Sequence, residues 1–172
     1  MSNRISEEAK GEIRRMCKFC WGLSVALLVL CAGLGYMLMF RGNVTSSEDG
    51  RTAIILSAGE RDLVLREMRG FLENVQGITE AIGNGDMKTV SAAARKAGKA
   101  SANEVPVSLM TKLPMAFKTL GMATHKAFDD LAMEAQDMGD QQEILKKLAS
   151  LMINCTTCHA SYRLEAQKPG GK

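Results

Sequence analysis

The stretch SAGERDLVLREMRGFLENVQGITEAIGNGD, residues 57–86, decides how the rest of the chain is read. Ser57 followed by Glu60 has the form of a capping box, in which the hydroxyl and the carboxylate each satisfy one of the free amides of a helix start. Leu63, Leu65, Met68, Phe71, Leu72, Val75, Ile78 and Ile82 then fall at spacings of three and four, an apolar stripe along one helical face. Gly83-Asn84-Gly85 stops the helix, and Asp86 offers the cap of the next one.

The pattern continues downstream. MKTVSAAARKAGKASA is a short alanine-rich helix, and NEVPVSLMTKLP, broken by Pro106 and Pro114, reads as the longest loop. A third helix is predicted from about Met115 to Met138, carrying Phe117, Leu120, Ala127, Phe128, Leu131 and Met138. A fourth follows from about Gln141 with Ile144, Leu145, Leu148, Leu151, Met152 and Cys155. No stretch alternates apolar and polar residues with the period of a strand. The fold class that follows is all-α, an antiparallel up-down-up-down four-helix bundle preceded by a transmembrane helix.

That transmembrane helix is read upstream, in CWGLSVALLVLCAGLGYMLMF, Cys20 to Phe40, which holds 21 residues without a charge. At about 1.5 Å per residue it covers the roughly 30 Å hydrocarbon core of a bilayer. It is longer than the apolar region of a signal peptide and ends in bulky residues, so it reads as an uncleaved anchor. A lipoprotein signal at Cys31 competes poorly, because Leu30 stands where a small residue is wanted.

Arg4, Lys10, Arg14, Arg15 and Lys18 precede the run and only Arg41 follows it closely. The positive-inside rule then keeps the N-terminus cytoplasmic and exports the remainder. Cys17 and Cys20, in CKFC, read as free thiols at the membrane interface. Four segments result: a cytoplasmic piece over 1–19, the anchor over 20–40, a flexible polar linker over 41–53, and the exported helical domain over 54–172. Beyond residue 40 stand 17 basic and 16 acidic side chains, and aromatic residues make up 5% of the chain, so no basic aromatic surface for nucleic acid is indicated.

Near the C-terminus comes NCTTCHASYR, Asn154 to Arg163. Cys155, Cys158 and His159 stand at i, i+3 and i+4 of the fourth helix, which puts both thiols and the imidazole on one face. C-x-x-C-H is the attachment signature of c-type haem: two thiols reach two vinyl groups of one porphyrin, and the next residue lies under the iron. A thioredoxin-like pair would need a βαβ setting, zinc a fourth ligand that His125 is poorly placed to supply, and a plain disulfide leaves His159 without a role.

These residues give the chain a resemblance to the class II c-type cytochromes, cytochrome c′ and its low-spin relatives of the cytochrome c-556 type. Their pattern C-x-x-C-H-x-x-Y/F-R is matched by Cys155, Cys158, His159, Tyr162 and Arg163. The resemblance covers the domain from about Ile54 onward, and the anchor departs from it, since most members are soluble periplasmic proteins. It implies one covalently attached haem c, with Cys155 and Cys158 as thioether sites, His159 as proximal iron ligand and Arg163 near the proximal side of the haem.

The distal position in that family is a leucine or similar in five-coordinate members and a methionine in six-coordinate electron carriers. Counting back from the turn at Asn84 places Met68 there. The alternative register, with Arg61 four residues before the distal residue, places Leu65. With Met68 bound, the protein is an electron carrier held at the outer face of a bacterial inner membrane, its haem domain in the periplasm. Its partners are then redox proteins or a larger respiratory complex, and the resemblance adds pairing with a second copy. With the face open, the implied function is binding or scavenging of nitric oxide or carbon monoxide. Enzymatic turnover is not expected, because no acid–base constellation is present: Asp129 and Asp130 read as a solvated face and His125 as a surface or core residue of the bundle.

Overall fold

The computed structural model describes residues 2–137 and 139–167, with side chains described from residue 18 onward except at 38–39 and 102–104. The side chains of Arg4, Lys10, Arg14, Arg15 and Cys17, and the whole of Met138, lie outside the described residues. The chain divides into two compact units, residues 1–39 and 40–172.

The first unit is helix α1, Ser2–Tyr36, followed by a wider helical turn, Met37–Arg41, that enters the second unit. Within α1, Lys18–Tyr36 is long and apolar enough to cross a membrane, with a mean hydropathy of 1.9 and no residue buried within the protein. Leu28, Val29 and Trp21 are accordingly exposed, as lipid-facing side chains would be.

The second unit is mostly helical and also contains a sheet, against the expectation of a purely helical domain. Strands β1, Val44–Ser46, and β2, Thr52–Leu56, form an antiparallel hairpin, and β3, Tyr162–Ala166, adds parallel to β2. β2 is central, and its apolar run Ala53-Ile54 is fully buried on successive positions. Burial on both faces replaces the alternation that marks a half-exposed strand.

The expected linker is therefore part of the domain. Asn43 donates its backbone N–H to the Lys112 carbonyl at 2.7 Å and its side-chain amide to the Ile55 carbonyl at 2.9 Å. Gly42, at φ 67°, lies so close to residues 112–114 that a Cβ there would stand 2.6 Å from the Lys112 oxygen.

Four longer helices follow the hairpin: α2, Ala58–Gly83; α3, Met87–Lys96; α5, Met115–Gln136; and α6, Gln141–Ser161. α3 stops at Lys96, short of the predicted second helix, whose end is instead a 3₁₀ segment, Lys99–Glu104; a short helix α4, Val107–Lys112, lies in what the prolines marked as a loop. Pro106 and Pro114 stand at the N-caps of α4 and α5, where a missing N–H costs no helical hydrogen bond.

The capping box of α2 is present, with Glu60 accepting from Ser57 N–H at 2.9 Å and also from Lys112 Nζ. Asp86 caps α3 as predicted, and Asp140 caps α6 by accepting from the amides of Gln142 and Glu143.

α2 and α5 each pack on both α3 and α6. Their shared core centres on Phe128, with Ile78, Val90, Leu131, Ile144 and Leu148. A second apolar cluster, Ile54, Leu56, Val64, Leu109 and Leu113, joins the sheet to α2 and α4. Val64 is the residue of α2 that enters this cluster fully, whereas Leu72 of the predicted stripe is 70% exposed. Asp129, read as solvated, accepts from the Lys99 amide and crowds Gly98, while Asp130 pairs with Lys126.

Candidate functional site

A cavity of about 470 Å³ lies in the second unit, walled by α2, α5, α6 and the α4 segment. Its walls take side chains from both apolar clusters, among them Val64, Leu109, Phe71 and Val75. Cys155, Cys158 and His159 of α6 all line it, and so do Leu65 and Met68 of α2. Five of the six predicted site residues thus share one chamber, although the two groups are some ninety residues apart in the chain.

The α6 group is assembled locally. Asp140 starts the helix, Ile144, Leu148 and Leu151 bury one face, and the register this sets turns Cys155 and Cys158 toward the cavity at the helix end. Both thiols are half-buried, and burial pushes their pKa values up, with the neighbouring Cys155 adding to the rise at Cys158. No disulfide joins them.

α6 stops at Ser161 because Tyr162 is extended and begins β3, its N–H still donating to the Cys158 carbonyl. Arg163 is consequently a strand residue and not a further position on the helix. Its guanidinium reaches Ser47 Oγ at 3.0 Å, Asp49 at 3.3 Å and Glu165 at 3.1 Å, and it does not line the cavity. Tyr162 packs edge-on against Phe117, itself a cavity residue.

On α2, Met68 is half-buried and packs against the sheet-side cluster, and Leu65 is half-buried beside it. Arg69, exposed, and Lys118, half-buried, bring positive charge to the wall. Exposed Leu72, Met122 and Met152 bring apolar side chains to the cavity from three helices.

Sequence reasoning missed a polar pair in this chamber. His125, 5% exposed, donates from Nδ1 to the Ala97 carbonyl at 2.9 Å and faces Glu67 Oε1 with Nε2 at 3.4 Å. Burial works against its charged form, but the Glu67 carboxylate and the Ala97 carbonyl outweigh it and raise the pKa above the usual histidine value. Glu67 and His125 lie on different helices, so no local spacing marks them. Among the described residues, no three His, Cys, Asp or Glu side chains converge to hold a metal ion by themselves.

No protein-family model, curated protein or solved structure matches this chain.

Proposed function

We propose that this chain is a membrane-tethered monohaem c-type cytochrome that carries single electrons between redox partners at the outer face of the membrane. The observation that carries the reading is the shared chamber: Cys155, Cys158 and His159 open on the same apolar cavity as Met68 and Leu65. The residues fit a covalently held haem. Two thiols three apart face one space, an imidazole follows at once, and the remaining walls are mostly hydrocarbon, with Arg69, Lys118 and the His125–Glu67 pair among their polar members. The pairwise packing of α2, α3, α5 and α6 supports an antiparallel four-helix bundle as the scaffold.

Haem c supplies a one-electron Fe(III)/Fe(II) couple when bound. Cys155 and Cys158 would hold the group through thioether links, each S–H being taken up by one vinyl double bond so that no electrons are gained or lost. His159 would supply a ring nitrogen and Met68 of α2 its thioether as iron ligands, a pairing that would favour the reduced state.

The apolar segment Lys18–Tyr36 supports tethering, and the basic residues before it support an N-terminus on the cytoplasmic side of a bacterial inner membrane. Confinement near membrane-bound donors and acceptors, whether separate proteins or subunits of a respiratory complex, raises their effective concentration without new contacts. Pairing with a second copy is compatible with this arrangement.

A second reading has its own observation. Met68 packs on the sheet-side core with Leu65 beside it at the same cavity, so the thioether has an apolar place to rest away from the iron. The iron would then be five-coordinate and open to nitric oxide or carbon monoxide.

Absorption spectra of the purified haem-loaded protein, oxidised, reduced, and reduced with carbon monoxide, separate the two. The electron-carrier reading expects a low-spin spectrum unmoved by the gas, and expects Met68→Ala to become gas-binding. A high-spin spectrum that shifts with carbon monoxide in the unaltered protein selects the second reading. A preparation whose haem is removed by acid–acetone extraction rejects both.

A further inference from the structure

We infer that Arg51, in the hairpin that follows the membrane segment, is a positioning residue for the proximal iron ligand: its guanidinium clamps the backbone of the helix turn that bears His159. The inference rests on the proposed haem site and goes beyond the C-x-x-C-H motif, because Arg51 lies more than a hundred residues from it in sequence.

The geometry begins with an unmet need. The last carbonyls of a helix have no intrahelical donor, and its end carries partial negative charge. At the end of α6 the Cys158 carbonyl is taken by Tyr162 N–H, which leaves the His159 carbonyl to find a partner elsewhere. Arg51 Nη1 donates to that oxygen at 3.2 Å and to the Tyr162 carbonyl at 3.4 Å, so one guanidinium bridges the helix end and the first residue of β3.

Arg51 is itself held. Its Nε and Nη2 donate to Asp49 Oδ2 at 2.9 and 2.6 Å, and its backbone N–H donates to Asp49 Oδ1 at 3.1 Å. Asp49 is gripped from the other side by Arg163 Nη1, which also donates to Ser47 Oγ. The parallel register pairs Thr52 with Tyr162, so residue 51 must arrive beside the end of α6. Topology and side-chain chemistry make the same contact.

The functional consequence follows from where His159 stands. A final helical turn frays unless something outside the helix fixes it, and fraying rotates the Cα–Cβ direction of every residue in that turn. Holding the His159 carbonyl fixes the direction from which the imidazole approaches the iron. The ion pair is exposed, and exposed pairs contribute little to global stability. The signature of the clamp is therefore a change at the iron without a comparable change in folding.

The test compares ferric holoprotein carrying Arg51→Ala, Arg51→Gln or Arg51→Lys with the parent by electron paramagnetic resonance, alongside thermal unfolding. Arg51→Ala is expected to shift and broaden the iron g-values while the unfolding temperature stays near the parent's, and Arg51→Lys, which keeps a cationic donor, to restore much of the parent signal. Parent g-values in Arg51→Ala overturn the inference, whatever the unfolding temperature does. If Arg51→Ala fails to fold, Arg51→Gln, which keeps one donor, is read in the same way. A parent protein without covalent haem would instead reject the function on which the inference rests, and the inference with it.

Discussion

His125 and Glu67 illustrate how a single buried residue ties the chamber to pH. With both ring nitrogens facing acceptors, the charged form is favoured, and the folded pKa is raised above about 6.5. The sign follows. Stabilisation from the charged form is complete below the unfolded pKa and is lost as pH rises through the higher folded value. Unfolding temperature is therefore expected to fall as pH rises above about 6.5, and Glu67→Gln to flatten that dependence. A nuclear magnetic resonance titration of His125 that gave a value below 6.5 would contradict this account.

At the same scale, the motif residues were legible because haem attachment imposes a fixed local spacing that survives in one short string. Arg163 was not legible in the same way. Position i+4 from His159 means the same face only if the helix continues, and the helix ends at Ser161.

Among the elements, the longer helices were readable, and α4 and the strands were not. A helix declares itself by caps and by a stripe repeated over several turns, as Ser57, Glu60 and Asp86 show. β2 is a five-residue strand whose last four residues are an apolar run, mostly buried on both faces, a pattern that a helix segment shares. β1 looked like a polar linker because its three residues owe their conformation to β2 alone.

Gly42 is the joint that seats this hairpin. Its positive φ and the close approach of residues 112–114 leave no room for a methyl group. Gly42→Ala is expected to destabilise the domain by about 2–3 kcal/mol, combining backbone strain with displacement of a packed loop. Urea denaturation checks it, and a loss under about 0.5 kcal/mol, the range of ordinary surface substitutions, would show that the contact yields easily.

For the whole molecule, the two compact units make a prediction about dissection. A chain starting at residue 41 keeps both hairpin strands and is expected to fold as a soluble domain with cooperative unfolding. A chain starting at residue 54 matches the sequence-based domain boundary but loses β1, the start of β2 and the Arg51 contacts. It is expected to unfold at a lower temperature, with the end of α6 exchanging its amides faster. Equal unfolding temperatures for the two would restore residues 41–53 to the status of a linker.

The sequence by itself determined the four longer helices in outline, the long apolar N-terminal segment and the grouping of Cys155, Cys158 and His159, because each depends on neighbours within a few turns. Tertiary structure alone decided that Met68 and Leu65 share their cavity, that Glu67 meets His125, and that a parallel strand pairing carries Arg51 to the end of α6. Those meetings join residues tens to more than a hundred positions apart, and contacts at such separations are set by how faces pack, which no local period encodes.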